Sequence, residues 1–334
     1  MHHPLVTIAI PTYNAASFIS ATLDSISAQT YKNYEVLVVD DGSKDQTCEI
    51  IEKHGFPVLQ LCQNSKNLGC VATIARCAEL AKGEIIVFLC HDDILAPVAL
   101  ERMIEAFQDP EVGAVTRSYF WFQGNQVNQA IRFTSSIEEK ILKMDARANY
   151  HQVGKLLETL GQLSGLGFRK RLMNVPFSPH VFTVHIQPFL GILRDHSVAY
   201  IGDYLVAVRT ETSQSRSLPS IYQVSPLESW LIMIDFVFAD VRFKTIRKNC
   251  RKVICTQNDV GLVQIKCSKG QEATLREIWF SLRAWPLNLI RPSFLFWSLV
   301  VLCMPASLLR MILDKLKAFI GPRLNPMIKL ADHR

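Results

Sequence analysis

Short apolar, β-branched runs alternate with helical periodicities over the first 120 or so residues, and that alternation narrows the fold more than anything else in this chain. Leu5 to Ile10 reads as a strand buried on both faces and stopped by Pro11. Phe18, Ile19, Leu23 and Ile26 follow at helical spacing within 16–29. The same alternation repeats: strands at 35–40, 58–62, 84–89 and 112–122, and helices at 45–54, 71–82 and from Pro97 to about 108. Connections this short predict an α/β fold: a doubly wound, mostly parallel sheet with helices on both faces. Ligands of such sheets bind beyond the carboxyl ends of the strands. The residues there are Pro11-Thr12-Tyr13-Asn14, Asp40-Asp41-Gly42-Ser43, Gln63-Asn64 and His91-Asp92-Asp93.

Composition removes several classes. At 334 residues and 49% hydrophobic, the chain can bury a substantial core and is not disordered. Its nine cysteines include no CxxC pair and no zinc-finger spacing, which predicts reduced, largely buried thiols. The N-terminus enters a strand without a basic and then apolar leader, so no cleaved secretion signal is expected. Charge is uneven: residues 241–334 carry 17 Lys or Arg against 5 Asp or Glu, whereas 1–240 carry 19 against 25.

No GxGxxG follows the first strand and no GxxxxGK[ST] occurs, so both the dinucleotide fingerprint and the P-loop are absent. A carboxylate-lined rim repels a phosphate unless a divalent cation lies between them. Carboxylate oxygens are the hard ligands that Mg²⁺ or Mn²⁺ take alongside substrate phosphates. The rim therefore predicts a metal-assisted site for a nucleoside diphosphate.

Six motifs in order carry a resemblance: Val6 to Asn14, Gln29-Thr30, Glu35 to Ser43, Asn67-Leu68-Gly69, Ala81 to Glu84 and His91-Asp92-Asp93. Together they resemble the family 2 glycosyltransferases, which have the GT-A fold. The resemblance covers 5–125 well, 126–210 loosely and the C-terminal third not at all. It implies a nucleotide-sugar donor, a divalent metal and inversion at the anomeric carbon. It implies that Pro11 and Tyr13, with Thr12 and Asn14, surround the nucleobase and that Asp41 accepts a hydrogen bond from it. Asn67 and Gly69 would complete the nucleotide site, Asp92 would reach the ribose or sugar, and Asp93 would ligate the metal.

Two departures stand out. Where the family has a Glu-Asp pair before the Tyr200-Ile201 strand, this chain has Val184-His185, so His185 becomes the candidate general base, with Asp195 and Asp203 behind it. Ile74-Ala75 replace an Arg-Asn pair found in many members. Gln162-Leu163-Ser164-Gly165 resembles the small-residue turn that precedes the acceptor loop.

Residues 1–215 are read as the glycosyltransferase domain, with 1–125 the nucleotide-sugar half and 126–215 the acceptor half. Residues 216–334 are read as a helical, basic and apolar region that associates with a membrane. Within it, Pro292 to Leu309 is uncharged, interrupted by Pro305 and accompanied by Trp279, Trp285 and Trp297. That run reads as an in-plane anchor; a single span, a core helix and a dimer contact are its alternatives. The expected activity is sugar transfer to a hydroxyl of a lipid-linked or surface-polysaccharide acceptor at the cytoplasmic face of a membrane, with no nucleic-acid partner. A polyprenyl-phosphate acceptor, which needs no strong base, is the alternative enzyme. A catalytically silent membrane-bound subunit that binds nucleotide or glycan is the alternative from another class.

Overall fold

The computed structural model describes residues 3–134, 141–211, 224–257, 259–312, 315 and 328–332. The first half follows the expected alternation: β1 (Val6–Thr12), α1 (Ile19–Ser27), β2 (Tyr34–Asp40), α2 (Thr47–Lys53), β3 (Leu59–Gln63), α3 (Cys70–Leu80), β4 (Ile85–Phe88), a short β5 (Ile94–Leu95), α4 (Ala99–Phe107) and β6 (Val112–Phe122). β7 (Arg132–Phe133), β8 (Ile141–Met144), α5 (Tyr150–Thr159), β9 (Gly167–Arg169), α6 (Ile186–Asp195) and β10 (Ser197–Arg209) complete the sheet region. Among the described residues, α7 (Pro226–Val237), α8 (Lys244–Gln257), α9 (Gly261–Ala284) and α10 (Pro292–Cys303) follow.

Among the described residues, all ten strands join one sheet in the order β3-β2-β1-β4-β9-β6-β10-β5, with β7 on β6 and β8 on β10. Pairs β1–β2, β1–β4, β2–β3 and β6–β10 are parallel, while β9 runs antiparallel between β4 and β6. The carboxyl ends of β1 to β4 therefore open on one edge. The sheet is covered on both faces, as its apolar runs require. Val6, Ile8 and Ile10 of β1 face α1 and α4; Ala9 of β1 with Leu37, Val39, Ile86 and Phe88 face α3, α5 and α6.

Pro11 lies inside β1 rather than stopping it. Its carbonyl accepts from His91 Nδ1 at 3.3 Å on the side where pairing with β4 has already ended at Ala9, so its missing N–H costs no ladder bond.

The C-terminal helices are not wholly apart from the sheet. Met233, Ile234, Ile246 and Cys250 of α7 and α8 share the core of α5 and α6. α9 and α10 form a satellite cluster around Leu262, Val263, Phe294 and Val301. α9 is broken at Gly270, where φ is 78°. The uncharged run is also broken: α10 ends at Cys303 and helical turns resume at Ala306, after Pro305. No helix among the described residues is long and apolar enough to cross a membrane. The expected boundary at 215 lies outside the described residues. None of the nine cysteines forms a disulfide; Cys77, Cys250 and Cys255 are buried, and Cys303 is exposed.

Several motif residues serve the fold. Gln29 is buried, donating to Ser25 O and Ala96 O and accepting from Leu100 N–H. Glu35 Oε1 accepts from Thr7 Oγ1 at 2.6 Å and Lys82 N–H at 2.8 Å. Gly83 N–H donates to Thr7 Oγ1 at 2.8 Å, and a Cβ at Gly83 would stand 2.5 Å from Thr7 N and 2.8 Å from Ile85 O. Those neighbours are backbone and cannot move without bending the strands. Gly83→Ala is expected to lower unfolding stability by about 1–3 kcal/mol, measured by chemical denaturation. Unchanged stability would show that β1 and β4 do not pack this closely.

Candidate active site

The acidic end of β2 divides its work. Asp40 Oδ2 accepts from Ser43 N–H at 3.0 Å and its other oxygen from Ser43 Oγ, closing a turn in which Gly42 has φ 76°. A Cβ at Gly42 would press on Lys66 C at 3.1 Å and Asn67 N at 3.2 Å. Asp41, also buried, accepts from Asn64 Nδ2 at 2.7 Å, Leu68 N–H at 2.8 Å and Gly69 N–H at 2.8 Å. Three of its roughly four lone-pair sites are thus used by the protein, leaving one on Oδ2. The expected partner of Asp41 is a nucleobase; the partners present are the side chain of Asn64 and the backbone of the Asn67–Gly69 turn.

The end of β1 meets this turn directly. Asp41 N–H donates to Thr12 O at 2.8 Å, Asn14 N–H to Ser43 Oγ at 2.8 Å, and Lys44 N–H to Asn14 Oδ1 at 2.8 Å. Asn14, at φ 48°, is the one described residue other than glycine in the left-handed region, which asparagine tolerates. Tyr13 presents its ring to solvent with 41% of its surface exposed. Pro11 to Asn14, Asp41, Asn67 and Gly69 therefore form one continuous rim.

His91, bonded to Pro11 O, ties that rim to the end of β4. Thr22 Oγ1 donates to His91 O at 2.9 Å and Asp93 O at 3.0 Å, fixing the backbone of the acidic pair. Asp93 is buried, yet both of its oxygens are held: Oδ1 by Arg209 N–H at 2.9 Å, Oδ2 by Ser164 Oγ at 2.5 Å. Burial and the neighbouring Asp92 charge push the Asp93 carboxyl well above the usual carboxylate range. Arg209 lies between Phe18 and Phe122 and donates through Nε to Asp92 O at 3.2 Å and through Nη1 to Gly124 O at 2.5 Å.

A second arginine supports the same carboxylate from behind. Arg117 is fully buried in β6 and donates to Thr159 O at 3.0 Å, Gln162 O at 3.3 Å and Ser164 O. Burial pushes its guanidinium down to about 10, so it stays charged at neutral pH. It thereby holds the turn from which Ser164 reaches Asp93. Gly165 is at φ 79°, and a Cβ there would stand 2.7 Å from Arg117 Nε.

Sequence reasoning missed Arg117 and Arg209. The available signal was an arginine inside an otherwise apolar strand, which is costly unless partnered. Ser164 lies in the small-residue turn that the sequence marks, but spacing alone does not reveal its bond to Asp93.

His185 is the expectation that the geometry supports least. It stands at the site end of α6, buried, with Nε2 2.8 Å from Leu160 O and Nδ1 sealed from solvent without a partner. Burial pushes its imidazole down to about 4. A base must reach an acceptor hydroxyl and retain basicity near the working pH, and this ring does neither as it stands. Asp195 lies at the other end of α6, paired with Arg194, and Asp203 pairs with Arg102.

Asp92, Asp93 and the Cys90 thiol bring ligand atoms within 4.8 Å of one another. Two adjacent carboxylates, one desolvated and with lone pairs to spare, suit a hard dication such as Mg²⁺ or Mn²⁺. The thiol is too soft to be a preferred ligand of either. The donor set therefore fits the expected metal through the two aspartates.

Comparison with known proteins agrees with this architecture. Residues 7–160 match the family described as glycosyl transferase family 2. An uncharacterised glycosyltransferase of Rickettsia prowazekii is 39% identical over 104 residues, 31% of this chain and 32% of the relative. The match thus spans about a third of the length of such curated relatives. The Escherichia coli protein WfgD, named a UDP-Glc:alpha-D-GlcNAc-diphosphoundecaprenol beta-1,3-glucosyltransferase, is 28% identical over 70% of this chain and 87% of its own. Among solved structures, S. aureus TarS in complex with UDP superposes with a TM-score of 0.52 at 17% identity, covering 89% of this chain and 90% of that one. The mannosyltransferase PcManGT of Pyrobaculum calidifontis, in complex with GDP-Man and Mn²⁺, gives 0.55 at 18% identity over 94% and 89%. The sheet order, the acidic rim and these matches together identify residues 7–160 as a family 2 glycosyltransferase domain on a GT-A scaffold.

Proposed function

We propose that this chain is a metal-dependent, inverting glycosyltransferase that moves a sugar from a nucleotide-diphosphate donor to a hydroxyl of a lipid-linked or surface-polysaccharide acceptor. The observation that carries the reading is the buried Asp93 carboxyl, held in place beside Asp92 on the same sheet edge as Pro11–Asn14 and Asp41. Such a pair is costly to bury, and an adjacent cation and diphosphate give it a purpose.

Tyr13, with Pro11 and Thr12, offers a surface on which a nucleobase stacks. Asp41 keeps the Asn67–Gly69 turn against that surface and has one lone pair left for the base. Asp92 faces the ribose or sugar, and Asp93 holds the metal. When bound, Mg²⁺ or Mn²⁺ supplies Lewis-acid stabilisation of the departing diphosphate, worth several kcal/mol in such sites. Arg209 and Arg117 contribute fixed positive charge behind the carboxylates, so the pair keeps its orientation as charge develops in front of it. Residues 126–215 supply the acceptor half.

WfgD supports a lipid-linked acceptor, since its own name specifies one. The basic and apolar C-terminal helices support a position at the cytoplasmic face of a membrane. One observation favours a second reading, an acceptor that is itself a polyprenyl phosphate. A phosphate oxygen is already a nucleophile, and His185, the residue at the expected base position, is sealed away.

A panel of nucleotide sugars offered with Mg²⁺ or Mn²⁺, followed by release of nucleoside diphosphate, tests the reading. One donor is expected to be turned over in the presence of an acceptor lipid, and Asp93→Asn to cut that rate at least about 100-fold. No turnover with any donor, alongside intact nucleotide binding, would favour a silent binding subunit. A lipid phosphate and a lipid-linked saccharide offered in parallel separate the two acceptor readings.

His185 gives a prediction of opposite kind. The unfolded chain takes up its proton near pH 6.5 and the native chain near 4, so stability is full above 6.5 and falls as pH drops between these values, by up to about 3 kcal/mol. His185→Gln keeps a donor for Leu160 O, and is expected to flatten that slope and to retain turnover. Loss of transfer with donor binding intact would return His185 to the role of base.

A further inference from the structure

Twelve of the 22 large hydrophobic side chains exposed among the described residues fall between Leu275 and Ile312, so the apolar surface is concentrated rather than scattered. α10 buries Phe294, Ser298 and Val301 against α9 and turns Leu295, Phe296, Leu299 and Leu302 outward. The exposure is high: 58% at Phe296, 62% at Leu299 and 75% at Ile290 in the preceding turn (Pro286–Ile290).

Among the described residues from Leu275 to Ile312, the exposed charges are all basic. Arg276, Arg283 and Arg310 are exposed, while the single acid in the stretch, Glu277, is buried against Ser225 Oγ and Leu227 N–H. At the rim, exposed Lys252 stands 4.4 Å over the Tyr150 ring and, with Arg291, Trp285 and Ile290, lines an open cleft of about 530 Å³. α10, at 12 residues, is about 18 Å long, short of a bilayer's apolar thickness. A two-fold contact with a second copy of the chain would set this basic patch against the same basic patch.

We propose that this face docks in the plane of an anionic phospholipid bilayer. Leu295, Phe296, Leu299 and Ile290 enter the acyl boundary, and Arg276, Arg283, Arg310 and Lys252 meet the headgroups. The inference deepens the reading of a lipid-linked acceptor and rests on it only for the purpose of the contact.

Full-length protein is sedimented with vesicles of phosphatidylcholine, with and without phosphatidylglycerol. Binding is expected to the anionic vesicles, to weaken at high salt, and to fall about tenfold or more in the Phe296→Ser/Leu299→Ser double variant. Both side chains are exposed, so the variant is expected to keep its circular dichroism and its release of nucleoside diphosphate in detergent solution. Equal binding by wild type and variant would overturn the proposal. So would absence of vesicle binding, or a dimer in light scattering that the same substitutions dissociate. Vesicle binding is read without turnover, so a failed donor panel leaves it standing, and failed vesicle binding leaves the donor panel standing.

Discussion

A carboxylate taken out of water next to another carboxylate is the condition on which the rest of the rim is built. Asp93 remains in place because its two oxygens are gripped from different parts of the chain: the backbone of Arg209 at the end of β10 and the hydroxyl of Ser164 in the turn before β9. Each grip depends on a buried arginine. Arg209 is fixed between two phenyl rings, and Arg117 gathers the carbonyls of the 159–164 turn. Asp93 is thus joined through one network to the end of β10 and to the turn before β9.

The parts of this design that depend on local pattern were legible in the sequence. Strand and helix alternation gave the doubly wound sheet, and the polar residues after β1, β2 and β4 meet at one edge because parallel strands leave no other arrangement. Pro11 shows the limit of local reading. Its residue type predicts a strand end, but its carbonyl lies beyond the last pairing with β4, so the strand continues.

Long-range partnerships were not legible. Nothing in the spacing says that Asp41 gives three of its lone pairs to Asn64, Leu68 and Gly69, or that Arg209 returns to Asp93 across 116 residues. His185 occupies the sequence position of a base and the correct end of α6, yet the carbonyl of Leu160 and the surrounding core claim its ring. Gln29, Glu35 and Gly83 belong to the motifs but act as joints between strands and helices. A motif residue therefore marks the fold as often as the chemistry, and only the partner of its side chain separates the two.

On the reading proposed above, Asp93 holds a dication against a nucleoside diphosphate at the open edge of the sheet, with Asp92 towards the ribose or sugar. Crystals of the protein soaked with Mn²⁺ and a nucleoside diphosphate test it most directly. Anomalous density at ligand distance from Asp93, with phosphates on its far side and the base near Tyr13, is the predicted result. Nucleotide bound with no manganese beside Asp93, or bound away from this rim, would contradict it.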